Sequence, residues 1–405
     1  MKRHFCITLA STIALATAGC VTDEPAAVAD EDVIVVPDPT PTPTPSETPT
    51  PTPTPSAVAT KGADGLYQLA SIPSNFDKTG LIRDVPQAKT GKPDVVGAFR
   101  FTCTPSHNAY DDPIVFPGQK GRAHLHTFFG NTEADANSTY ESLRKTGDST
   151  CRNKLNRSAY WVPAMLNGRG DVIMPDVITV YYKRRPASDP ECQKETQICT
   201  TLPRGLRYVF GQHPSNPDKY SITSFVCVGG ETGKSFDTLP EVAQICPVGA
   251  RIGARVTSRS CWNGKDLDSG DHRSHMSFQK RDKNTGEVSC PATHPYLIPT
   301  FTLGVFYTVD ETLDRSGDLS TSRQTWHFAS DRMEGKTPQI AGRTFHADWF
   351  GAWDDDILKE WHEGCVDKLL TCNDGDLGNT RQLTRSEAAS KKYARVVSMP
   401  KKPIG

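Results

Sequence analysis

Four stretches of this chain gather side chains able to do chemistry. The first, residues 122–131, contains His124 and His126. On an extended strand residues i and i+2 share a face, so this pair can present two imidazoles to one divalent metal ion or one substrate. The second, residues 261–276, holds Trp262, Lys265, Asp266, Asp268, Asp271, His272, Arg273 and His275, with Gly264 and Gly270 for loop freedom. So many ionisable groups cannot all be buried cheaply, and no turn requires this mixture, so the loop is expected to line a functional cleft. The third, residues 290–295, contains His294. The fourth, residues 344–350, contains His346 and Asp348, which share a face if the segment is extended, and Trp349.

Three chemistries fit these residues. A glycoside hydrolase needs two carboxyl groups across a sugar, one protonated and one ionised. Asp266, Asp268 and Asp348 supply them, His272 and His275 act beside them, and Lys265, Arg273, His294 and His346 hold substrate. Trp262 and Trp349 would stack on sugar faces. A polysaccharide lyase would use a histidine or lysine to remove the C5 proton of a uronic acid, with Arg273 or a metal neutralising the carboxylate. A non-catalytic carbohydrate- or metal-binding module would use His124, His126, His346 and Asp348 to hold a divalent ion. No Gly-x-Ser-x-Gly elbow and no Cys-x-x-Cys pair occurs, which argues against a serine hydrolase and a thiolate zinc site.

The elements that must position these groups read as strands. Residues 95–102, 158–166, 177–182, 208–210, 222–228, 301–308 and 325–328 are β-branched and aromatic runs bounded by Gly, Pro, Asn and Asp. Helical signals are fewer. Acidic residues 354–356 followed by Ile357, Trp361 and Cys365 predict a helix over 354–370. Thr384 and Glu387 have capping-box spacing and predict a second over 384–395. The expected architecture is mainly β, a single sandwich or jelly-roll-like domain with long loops and a helix near the C-terminus. Besides Cys6 and Cys20 there is an even set of ten cysteines, which reads as a disulfide framework. Cys192 with Cys199, and Cys365 with Cys372, are close enough to staple local loops; the other pairings stay open.

The N-terminus reads as an export signal. Lys2 and Arg3 precede an uncharged apolar run too short to span a bilayer, and Gly19-Cys20 follows. Thr17-Ala18-Gly19-Cys20 resembles a bacterial lipobox, with Cys20 the lipid-bearing residue. Val21 after it, in place of aspartate, points to the outer membrane. Residues 1–19 are thus expected to be a lipoprotein signal peptide, 21–60 a Pro/Thr-rich stalk, 61–380 the globular domain and 381–405 a tail with helical character. The alternating prolines favour extended polyproline II, which at ~3.1 Å per residue reaches roughly 60 Å. The expected membrane contact is through the lipid alone. A formal net charge of −1 without a basic block argues against a nucleic-acid partner.

The four stretches also resemble the DUF1996 family. Asp112-Pro113-Ile114-Val115 with Pro117-Gly118, His124-Leu125-His126 and residues 158–163 are similar to its opening. Residues 261–268 and 271–276 are similar to its central signature, and 290–295, Ser330-Asp331 and 346–349 to its later blocks. The resemblance covers most of residues 95–373. It implies a secreted protein of a kind sometimes joined to polysaccharide-binding modules, and so a partner that is a polysaccharide or cell-surface glycan.

Overall fold

Alternation decides the first sheet. In the strand Val177–Arg184, Ile178, Val180, Tyr182 and Arg184 are buried while the residues between them face outward. Its neighbours in a six-stranded sheet run in the order Thr223–Val228, Arg251–Thr257, Thr300–Thr308, Val177–Arg184, Gly97–Cys103 and Thr371–Cys372. A second, five-stranded sheet runs Arg207–Gly211, His346–Phe350, Ala159–Pro163, His126–Gly130 and Pro105–Ala109. Here three strands, His126–Gly130, Ala159–Pro163 and His346–Phe350, are buried at every residue. A strand buried on both faces must be covered twice. One cover is the first sheet; the other is made of loops and the short helix Tyr140–Lys145, and the chemistry lies beneath the loops.

The computed structural model describes residues 58–62, 65–86, 95–217, 222–230 and 233–403. The expected signal segment, Cys20 and nearly all of the stalk lie outside the described residues. Those described belong to one unit, a mainly β sandwich. Its centre is aromatic. Phe301 of the first sheet meets Trp349 of the second edge-on, with centroids 4.6 Å apart, and Tyr182 edge-on at 4.7 Å. The Tyr160 and Tyr182 hydroxyls, one from each sheet, are 2.5 Å apart. Each fully buried ring of this kind contributes roughly 1.5–3 kcal/mol, so the two sheets are locked face to face.

Both expected helices form in shorter versions. The first is α-helical over Asp355–Trp361 and widens into a π-helical turn over His362–Val366. The wide turn follows from close packing: a Cβ on Gly364 would stand 2.0 Å from the Leu377 carbonyl oxygen, and the Cys365–Cys372 disulfide pins the next residue. The second is a single turn, Glu387–Ser390, capped by Ser386 rather than Thr384. Thr384 is tied elsewhere, its N–H donating to Leu81 and its hydroxyl to Gly80. Nor are residues 381–403 detached from the fold. Arg381–Leu383 pairs with Ile82–Asp84, and Val396–Ser398 with Asp171–Ile173.

All ten cysteines of the folded region are joined, Cys192–Cys199 and Cys365–Cys372 as expected. The pairings left open are Cys103–Cys151, Cys227–Cys246 and Cys261–Cys290. Cross-linking restricts the unfolded chain more when it closes a longer loop. Cys103–Cys151 spans 48 residues and Cys365–Cys372 spans 7. Replacing the first pair by alanine should therefore cost about 4 kcal/mol, and the second about 2 kcal/mol. Urea unfolding of the two double variants measures this; equal losses would contradict the loop-entropy account.

Candidate metal centre

The pleat of His346–Phe350 sends Ala347 and Trp349 into the sandwich core and His346 and Asp348 to the opposite, loop-covered face. Asp348 pairs with Trp161, so two residues along the same register His346 falls on the row of Pro163. Pro163 in turn pairs with His126. A proline between them is short enough for the two imidazoles to lean over it, with ring centroids 6.1 Å apart. His124 precedes the strand and joins them, 4.3 Å from His126 and 5.2 Å from His346 between centroids. One nitrogen from each of the three lies within 4.8 Å of the others. Nitrogens bound to one zinc ion at ~2.0–2.1 Å sit about 3.4 Å apart, so small ring rotations complete the site.

The orientation of the rings is fixed from outside. The Nδ1–H of His126 donates to the Asp111 carbonyl at 2.9 Å, and that of His346 to the Thr344 carbonyl at 2.7 Å. A carbonyl only accepts, so Nδ1 carries the proton and the Nε2 lone pair is free to bind, the arrangement that aims a metal-ligating histidine. The supports are themselves held. Asp111 accepts from Gly121 N and Ala136 N. Asp331 accepts from the N–H and hydroxyl of Thr344 and from Gly342 N and Phe328 N. Burial nonetheless pushes the Asp331 carboxyl up to about 6.

What these groups lack is a partner. Nε2 of His124, Nε2 of His126 and both carboxylate oxygens of Asp348 are buried without a hydrogen bond among the described residues. Asp348 Oδ2 stands 3.9 Å from His346 Nε2. An orphaned buried polar atom costs roughly 1–3 kcal/mol, so four in one place call for a ligand that binds them together. Burial holds His124 and His346 well below their ordinary pKa, and the neighbouring imidazoles add to this. His126 is lowered too, by burial against the opposing pull of Asp112. All three are neutral, the form that ligates. Asp348 is pushed well up by burial and by Asp112, while Arg273 opposes.

The dense loop over residues 261–276 behaves differently, because its polar groups satisfy one another. His275 is buried with both nitrogens engaged, by the Ser269 hydroxyl at 2.8 Å and the Arg207 carbonyl at 3.0 Å, and burial pushes it down to about 4. Asp271 works against its own burial: the Ser274 and Arg273 N–H groups and the Ser269 hydroxyl hold its carboxyl far below the usual range. Asp266 is exposed and accepts from Asn263, and Lys265 is exposed beside it. Asp268 accepts from Arg207 Nε at 3.1 Å and from His272 Nδ1 at 3.0 Å, which raises the His272 pKa. His272 itself holds φ at 55°, a left-handed backbone uncommon outside glycine. Of the three candidate carboxyls, Asp266 is thus exposed, Asp268 is engaged by Arg207 and His272, and Asp348 alone is buried without a partner among the described residues.

Two further expectations are corrected. Trp262 and Trp349 are 0% and 1% exposed, so neither offers a face to a sugar. The Trp262 indole donates to the Asp266 carbonyl, and Trp349 is core. His294 lies away from the cluster, donating to the Ser274 carbonyl at 2.8 Å and pairing with the Thr293 hydroxyl, and so braces the loop. Arg273 does reach the centre. Buried and anchored on the Gly211 and Gln212 carbonyls, it sets its charge beside Asp348 and His346. Two contributors escaped sequence reasoning. Asp112 caps Ile114 N and Val115 N, and its charge acts on His126, Asp348 and His272. His213 lowers His346 further. Asp112 carried a signal, as the first residue of the family's opening block; His213 carried none.

The model of a domain of unknown function, DUF1996, matches residues 112–353. No curated protein and no solved structure matches the chain. The matched segment runs from Asp112 to just beyond Asp348 and so contains His124, His126, His346 and Asp348, with Ser330 and Asp331 that brace the centre. Since the match takes in more than half of the sequence, this chain belongs to the DUF1996 family.

Proposed function

We propose that the protein is an exported metalloenzyme of extracellular polysaccharide, held at the bacterial envelope through Cys20. Its centre is one divalent transition-metal ion bound by His124, His126 and His346, with Asp348 beside it. The observation that carries the reading is the convergence of three neutral imidazoles, two of them with unpartnered Nε2 atoms, over an unpartnered buried carboxyl. Three imidazoles suit zinc, copper, iron or nickel and leave a coordination position for substrate or water. The ion would supply Lewis acidity and lower the pKa of water. Asp348 holds or accepts a proton next to it, Arg273 balances the Asp348 charge, and Thr344 and Asp111 keep the rings aimed. A centre of this kind relies on the buried Asp348 beside the ion, whereas Asp266 is exposed and Asp268 is engaged by Arg207 and His272. Five disulfides agree with an oxidising compartment and so support export.

The full chain, stripped with chelator and dialysed against zinc or copper, should retain one ion per molecule by elemental mass spectrometry. His126→Ala and His346→Ala should each weaken binding by more than ~100-fold, beyond the 10–100-fold typical of outer-shell changes. Retention of no ion by the wild type would overturn the reading. Incubated with a polysaccharide panel, the loaded chain should release products detectable by mass spectrometry, and His346→Ala should release none.

Stability of the metal-free chain should depend on pH with a definite sign. His124, His126, His346 and His362 are lowered by burial, as are His275 and His327, both to about 4. The unfolded chain therefore binds more protons between pH 6.5 and about 4, and stability falls as pH falls through that window. Asp331 and Asp348 are raised and act oppositely, losing stability as pH rises through their folded values. The histidines outnumber them, so urea midpoints with chelator present should be lower at pH 5 than at pH 7. A midpoint equal or higher at pH 5 would refute this.

A further inference from the structure

His124 is the one histidine of the three that is not fully buried, and it shows where the centre opens. It lines an open pocket of about 520 Å³ together with Tyr110, Arg122, Arg332, Lys336 and Lys402. That volume lies within the range of small-molecule sites. The charge of the wall is lopsided: four basic side chains against Glu334. Among the described residues none of the four is in an ion pair. Arg332 is already oriented, its Nη2 donating to the Thr321 carbonyl at 2.7 Å and the Gln324 carbonyl at 2.6 Å. Tyr110 adds an aromatic surface, with the Lys402 ammonium 5.9 Å from its ring centre. Leu166, Met333 and Met399 supply apolar wall.

The chain as a whole has a formal net charge of −1, so this basic pocket is a local feature and not the average surface. Unpaired cations around a concave, partly apolar mouth attract an anion that also has a body to pack. A neutral glycan would leave those charges unused. We propose that the ligand entering this pocket is a carboxylated polysaccharide, a uronic-acid oligomer. Its carboxylates pair with Arg122, Arg332, Lys336 and Lys402, and one sugar ring lies against Tyr110 and reaches the centre at His124. The inference rests on the metal-centre reading, from which it takes the direction of entry.

The test is calorimetric binding to the metal-loaded full chain, using oligogalacturonate, a neutral cello-oligosaccharide of equal length, inorganic phosphate and anionic lipid vesicles. The triple variant Arg122→Gln, Lys336→Gln, Lys402→Gln alters exposed side chains only, so its metal content and melting temperature should match the wild type. Oligogalacturonate should bind and the neutral oligomer should not. The triple variant should lose at least tenfold in affinity, and the wild type should bind more weakly at 200 mM than at 50 mM salt. Equal binding of the neutral oligomer, undiminished affinity in the triple variant, or capture of phosphate or vesicles in preference to oligogalacturonate would each overturn the proposal. A chain that holds its ion yet ignores oligogalacturonate defeats this inference alone. One that binds oligogalacturonate by charge without holding an ion defeats the metal reading alone.

Discussion

Asp348 and Trp349 are adjacent on one strand, and the pleat drives them to opposite faces of one sheet. Trp349 locks that sheet to its partner through Phe301. The same locking forces Asp348 and His346 outward beneath the covering loops, into a place where water cannot serve them. The centre therefore follows from core packing: the strand cannot bury its tryptophan without burying its acid and its imidazole on the other side. His126 then arrives by register, through Pro163, and His124 by the extended chain that leads into its strand.

The loop over residues 261–276 is richer in ionisable groups than the centre, yet it is mostly structural. Its carboxylates cap N–H groups, its histidine 275 bridges a hydroxyl and a carbonyl, and its tryptophan is closed over. The centre has fewer ionisable groups, and Nε2 of His124, Nε2 of His126 and both Asp348 oxygens have no hydrogen bond among the described residues. A buried polar group with every bond made is scaffold; one with none made is costly and needs a reason. His272 and Arg273 are where the two regions meet, through Asp112 and Asp348.

The outer supports explain residues that carry no chemistry of their own. Ser330 bonds the Thr344 hydroxyl, Asp331 fixes the Thr344 backbone, and Thr344 aims His346. Asp111 does the same for His126 while tying down two distant N–H groups. Such supports let neutral imidazoles stand close together without collapsing onto one another.

The sequence by itself determined what is local. Period-two alternation placed His346 with Asp348, runs of β-branched and aromatic residues marked the sandwich strands, and an even cysteine set marked a disulfide framework. Only the tertiary structure decided which faces meet and which polar groups find partners. The Arg207 carbonyl that engages His275 and the Leu81 carbonyl that takes Thr384 out of its expected cap both come from segments far along the chain. Asp112 joined the centre for the same reason, since its charge acts on His126, Asp348 and His272 only once three separate segments have packed. Spacing fixes the direction in which a side chain leaves the backbone; what it meets there is set by long-range register and by the loops that close over it.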